Sequence, residues 1–190
     1  MVKGAEKMNK LILIFGDLAS GKSTFADILS KRSGIPAIKK DKIKEILADT
    51  VGFETREENL ALSRATFEIM LHIFERSVEA GHSLILESNF REGELKRLAT
   101  ATEKAGYKIL SLYLTADTRL LYDRFNERRM MGRHRAHLTS EFESFEGFEA
   151  YLIGQRAKYI PGEAVRINAN DFSYQTDDEI LNLVDSFLKN

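Results

Sequence analysis

The chain has 190 residues, 43% of them apolar, which suffices to bury one α/β core and argues against disorder. Lys and Arg total 28 against 29 Asp and Glu, so no overall basic field points to nucleic acid or an anionic membrane. Cysteine is absent, which excludes a disulfide scaffold, thiolate metal ligands and a cysteine nucleophile.

Met1 to Lys10 is polar and patternless, and residues 1–9 are expected to be disordered. Leu11-Ile-Leu-Ile-Phe15 is a short continuous apolar run, as expected of a parallel strand buried on both faces. It is too short for a secretory h-region of about 7–15 residues or a membrane helix of about 20. The chain therefore reads as soluble and cytoplasmic, with no membrane partner. Lys22 to Lys31 has Phe25, Ile28 and Leu29 at helical spacing, and Gly34 offers a stop. Ile35 to Ile38 can form a second strand with Pro36 at its start. Asp41 stands before Ile43, Ile46 and Leu47 as a candidate N-cap of a short helix.

Glu57 to Ala80 is the longest helical stretch, with Leu60, Phe67, Leu71, Phe74 and Val78 on one stripe and Gly81 as terminator. Ser83 to Leu86 is the third strand, and Glu92 to Ala105 a helix closed by Gly106. Lys108 to Leu114 is the fourth strand, followed by an arginine-rich helix over Thr118 to Met130. Met131 to Ser140 has charge without apolar rhythm, and Glu141 to Tyr159 is an acidic amphipathic stretch. Phe142, Phe145 and Phe148 in it read as core packing rather than a base-stacking platform. Ala164 to Asn168 is a weak fifth strand. The last helix, Asp177 to Leu188, is expected to open on a capping box, Thr176-x-x-Glu179. Strands alternating with helices imply βαβ units, a parallel sheet and a single domain over 1–190.

Between the first strand and helix, Gly16-Asp17-Leu18-Ala19-Ser20-Gly21-Lys22-Ser23 matches G-x-x-x-x-G-K-[ST] without a mismatch, and Thr24 follows. Its glycines let successive N–H groups curl toward anionic oxygens, and the helix behind adds its positive end. Lys22 can reach β- and γ-phosphates, and the Ser23 hydroxyl can join a Mg²⁺ shell.

On this loop the chain resembles the P-loop NTPase superfamily, and within it the compact kinases of small molecules or nucleic-acid 5′ ends. The Gly-x-x-Ala19-Ser20-Gly21-Lys22-Ser23-Thr24 form resembles an AAA_33-type kinase domain. The resemblance implies a three-layer αβα fold with a five-stranded parallel sheet, order 2-3-1-4-5. It also implies an arginine-rich lid, here about 129–141. ATP and Mg²⁺ would be the cofactors, Gly16 to Thr24 would bind the nucleotide, and a small-molecule hydroxyl would be the acceptor.

In kinases resembling this one, an Asp in the position of Asp41 accepts the proton of the attacking hydroxyl; as bare sequence it is equally a helix cap. Glu87 ends the third strand where many P-loop proteins carry a Walker B Asp. It is either a Mg²⁺-side carboxylate, an acceptor contact or a solvent-facing strand end. Six arginines lie between Arg119 and His137, against Asp123 and Glu127. The resemblance puts Arg124 against the adenine and Arg128 on the phosphates, with Arg133 and Arg135 neutralising the transferring group; the plain reading is a solvated charged face. Asn168 is expected to border the adenine. Phe53, Arg56, Asn59, Arg64 and Arg91 are candidate acceptor contacts. His134 and His137 form a surface pair that no carboxylate completes. Two rival functions stand beside the small-molecule kinase: a nucleic-acid 5′-hydroxyl kinase, and a P-loop ATPase or switch without a phosphoryl acceptor.

Overall fold

The computed structural model describes residues 9–137, 142 and 144–189. Residues 1–8 and most of the distal part of the expected lid, 138–141, lie outside the described residues. Five parallel strands build one sheet in the order β2-β3-β1-β4-β5, the order that the resemblance implies. The strands are β1 (Lys10–Gly16), β2 (Ala37–Lys39), β3 (Leu84–Glu87), β4 (Lys108–Thr115) and β5 (Glu163–Asn168). Seven described helices connect and cover them: α1 (Lys22–Ser33), α2 (Lys40–Thr50), α3 (Arg56–Glu79), α4 (Glu92–Lys104), α5 (Thr118–Met130), α6 (Phe145–Arg156) and α7 (Asp178–Lys189).

The central strand explains the three layers. All seven residues of β1 are buried, and their period-2 alternation sends successive side chains to opposite faces. Ile12 and Ile14 pack with Phe25 and Leu29 of α1, Leu121 of α5, Phe148 of α6 and Val184 of α7. Leu11, Leu13 and Phe15 pack with Phe67 and Phe74 of α3 and Leu95 and Leu98 of α4. The Phe142 and Phe148 rings meet edge to face at 5.1 Å, so the phenylalanine cluster is core, as its spacing suggests. Among the described residues no helix is long and apolar enough to cross a membrane.

Two local expectations are corrected. The strand β2 runs directly into α2, whose N-cap position is Lys39 and makes no side-chain cap bond. Asp41 is therefore in the first turn rather than capping it. The last helix is capped by Asp177, whose Oδ1 accepts from the Glu179 N–H at 2.8 Å, while the Thr176 hydroxyl donates backward to the Ser173 carbonyl. The expected capping box is replaced by a single Asp177 cap, because the helix starts one residue later and Ile180 at its third position has no acceptor to return the bond. A capping box does open α3: Thr55 Oγ1 accepts from Glu58 N–H at 3.1 Å, and Glu58 Oε2 accepts from Thr55 N–H at 3.0 Å.

Candidate active site

The chain leaves β1 at Gly16 and curls before entering α1. Gly16 has φ +129°, and a Cβ there would sit 2.2 Å from the Leu114 carbonyl oxygen, so no other residue fits. Gly21, at φ +86°, heads α1 where a Cβ would meet the Tyr174 hydroxyl at 2.5 Å. Tyr174 in turn donates to the Ser20 carbonyl at 2.9 Å, fastening the loop from the far end of the chain. With Ala19 also left-handed at φ +59°, the loop holds the curled backbone that its sequence implies.

Inside the loop the side chains divide. The Lys22 ammonium folds back onto the Asp17 carbonyl at 2.5 Å, where the Ser20 hydroxyl also donates at 2.8 Å. Burial lowers the lysine's pKa, opposed by Glu87, Asp41 and Asp17. The Asp17 carboxylate is fully buried and points the other way. It accepts a fork from Arg156 of α6 at 2.6 and 3.1 Å and a bond from the Ala116 N–H at 3.3 Å. Its side chain thus ties the loop to α6, and only its backbone belongs to the cradle.

A cavity of about 630 Å³ opens over the loop. It is lined by Leu18 to Thr24 of the loop, by Asp41, Glu87 and Asn89, and by Arg124, Glu127, Arg128 and Arg133. Phe172 and Gln175, beyond β5, close the end. These walls stand at the carboxyl ends of the strands, where ligands bind in open parallel α/β sheets.

Ser23 Oγ donates to Glu87 Oε2 at 3.1 Å. Glu87 is only 4% exposed, so the solvent-facing reading fails. Burial raises its pKa to about 7, with Lys22 pulling down and Asp41 pushing up. The folded chain then keeps a proton that the unfolded chain has released between pH about 4.5 and 7, so this group's contribution to stability falls as pH rises through that window. Glu87→Gln removes the dependence and can still accept from Ser23. In chelator, wild type should lose more Tm between pH 5 and pH 8 than Glu87→Gln does; parallel losses would refute the assignment.

Asp41 has a side chain 59% exposed and receives no hydrogen bond from a described residue; the His137 ring stands at 3.9 Å, and its charge acts on Lys22, Lys44 and Arg133. Arg128 lines the cavity as expected. Arg124 also reaches it, but its guanidinium is committed: it donates to the Ala169 and Asn170 carbonyls at 2.7 and 2.6 Å and lies 4.3 Å over the Phe172 ring. Arg133 lines the cavity, whereas Arg135 does not; its guanidinium stacks on Phe53 at 4.5 Å. Asn168 does not line it either. Its Oδ1 accepts from the Asn170 N–H at 2.9 Å, beside a separate depression with Thr115 and Arg166. Asn59, a candidate acceptor contact, is buried and donates to the Ala136 carbonyl.

The histidine pair also differs from expectation, because α2 supplies carboxylates. His134 meets Asp49 at 3.0 Å and His137 meets Glu45 at 3.2 Å. Among the described residues no three such side chains are grouped to hold a metal. Ser23 and Glu87, oxygen donors 3.1 Å apart, are the pair that would hold a hard cation such as Mg²⁺ here. Arg156, Phe172 and Gln175 carry no motif and were invisible in the sequence.

The AAA_33 family model, described as an AAA domain, matches residues 11–145. No curated protein sequence matches the chain. A Chloroflexus aurantiacus protein, to which a kinase activity is ascribed, superposes with TM-score 0.80 at 26% identity, covering 95% of this chain and 98% of its own. The tunicamycin resistance protein of Deinococcus radiodurans shares the fold at TM-score 0.60 and 19% identity, over 93% and 95% of the two chains. So does the Mycobacterium tuberculosis APS kinase solved with AMPPNP and APS, at TM-score 0.60 and 15% identity, over 96% and 99%.

Proposed function

The chain belongs to the AAA_33 family, and from that premise we propose that it is an ATP- and Mg²⁺-dependent phosphotransferase that moves the γ-phosphoryl group to a hydroxyl of a small molecule. One observation carries the reading. Asp41, whose carboxylate receives no hydrogen bond from a described residue, lines the same cavity as Lys22 and Ser23 of the loop and as Arg128 and Arg133. That combination serves phosphoryl transfer, where alignment and charge neutralisation carry most of the catalysis.

The loop N–H groups and the start of α1 hold the phosphates. Lys22 leaves the Asp17 carbonyl to contact the β- and γ-oxygens. Mg²⁺, when bound, neutralises charge shared between those oxygens, and Ser23 with Glu87 are the residues suited to hold its shell. Asp41 accepts the acceptor's hydroxyl proton as the new oxygen–phosphorus bond forms and the bond to the β-phosphate oxygen breaks, releasing ADP. Arg128 and Arg133 neutralise charge on the transferring group. The Arg124–Phe172 stack offers a flat platform for a base, and the nucleotide analogue in the APS kinase neighbour supports a nucleotide in this fold.

ADP release should rise at least about tenfold with a hydroxyl compound from a small-molecule panel and stop in chelator, since acceptor alignment is part of the barrier. Release that no acceptor stimulates would identify an ATPase instead. Stimulation confined to oligonucleotide 5′ ends would identify a nucleic-acid kinase.

A further inference from the structure

Residues 131–137 carry Arg133 into the cavity on a polar stretch with one short 3₁₀ turn, Arg135–His137. The backbone of such loops is ordinarily left to water. Here Ala136 is fully buried, and its carbonyl receives two side-chain donors from two different helices. Lys44 Nζ of α2 donates at 2.8 Å and Asn59 Nδ2 of α3 at 3.2 Å. Both donors are themselves buried, at 8% and 1% exposure. A buried ammonium and a buried amide are costly groups to desolvate, so meeting on one main-chain oxygen makes this a specific fixture.

The fixture lies between two parts of the proposed site. Lys44 stands one helical turn after Asp41 on α2, and Ala136 stands three residues after Arg133. Gly132, just before Arg133, has φ +87° and bonds back to the end of α5, its N–H donating to the Arg129 carbonyl at 3.4 Å.

We propose that Lys44 and Asn59 are positioning residues: by gripping the Ala136 carbonyl they fix Arg133 relative to Asp41. This rests on the phosphotransferase reading above. The segment is thus not an open flap over its described length but is docked on the helix that bears the acceptor-side carboxylate.

Lys44→Met keeps the length of the stem and removes the donor. It should lower kcat about 10–100-fold, the effect of misplacing a catalytic group by about an ångström, while KM for ATP moves less than about threefold. Lys44→Arg, which can still donate, should recover most of the loss. In an Arg133→Gln background, Lys44→Met should cost less than about threefold more, because it acts through the arginine. Losses that multiply in the double variant would overturn the proposal, as would a loss confined to KM. Asn59→Ala should show the same pattern more weakly. Hydrogen exchange decides independently of turnover: the amide of His137 should exchange at least about tenfold faster in Lys44→Met. Should the wild type phosphorylate no acceptor, the phosphotransferase reading falls. Unchanged exchange would then overturn the grip itself.

Discussion

Lys22→Met should lose about 10²–10³-fold in turnover, the usual cost of removing one preorganised charge from a transition state, while keeping its fold. The structure gives the reason for expecting an intact fold. Lys22 is not a cation held out toward solvent; it is 8% exposed, and its ammonium rests on the Asp17 carbonyl at 2.5 Å. That carbonyl would stay satisfied in the variant, because the Ser20 hydroxyl donates to it at 2.8 Å. Methionine also removes the desolvation of a buried ammonium, and Glu87, which loses that neighbouring charge, can keep its proton instead of standing as a buried anion. Thermal stability of the free protein should therefore hold or rise as activity collapses. Lys22→Arg should not restore activity, since a planar fork cannot swing from the loop carbonyl to phosphate as a compact ammonium does. A methionine variant within tenfold of wild-type turnover would remove Lys22 from the mechanism.

The sequence makes legible whatever depends on nearby residues. The apolar run of β1, the loop's glycines and the helix behind it are local, and the structure places them where the pattern does. The arginine-rich helix runs from Thr118 to Met130 as its periodicity indicates, with Asp117 as a side-chain cap. The strand order followed from the resemblance that the loop carries.

What was not legible depends on partners distant in the chain. Asp17 has the right place in the motif, but the letters of the motif fix its backbone and not its side chain. Its carboxylate is claimed by Arg156, 139 residues later. His134 and His137 lacked carboxylates only in sequence; Asp49 and Glu45 lie more than eighty residues before them. Arg133 and Arg135 look equivalent in the chain, yet a 3₁₀ turn sends one to the cavity and the other onto Phe53. Asn168 was expected beside the nucleotide, but it spends its amide oxygen on the turn after β5, and Phe172 occupies the cavity wall instead.

Asp41→Asn should reduce acceptor phosphorylation by about 10²–10⁴-fold, the usual contribution of acid–base catalysis, with ATP binding retained. The sequence left two roles for this residue, proton acceptor and helix cap. The geometry removes the second, because α2 starts at Lys40 and Asp41 lies inside its first turn. A carboxylate there still favours the positive end of the helix, a contribution of about 0.3–1 kcal/mol that asparagine forfeits. The stability cost should stay within that range, far too small to explain a hundredfold loss. No hydrogen bond from a described residue rests on the side chain; the His137 ring stands at 3.9 Å, and the buried cations Lys44 and Arg133 lie within reach of its charge. Asp41→Glu tests the geometry separately, since it keeps the charge but moves the oxygens by one methylene; it should also fall well below wild type. Normal turnover in Asp41→Asn would transfer the proton-accepting role to Glu87. That carboxylate, at 4% exposure and bonded to Ser23, would then have to appear in the activity profile as a group raised by burial, but below its wild-type position because the Asp41 charge that helps to raise it is gone. The pH dependence of the asparagine variant therefore decides which of the two carboxylates takes the proton.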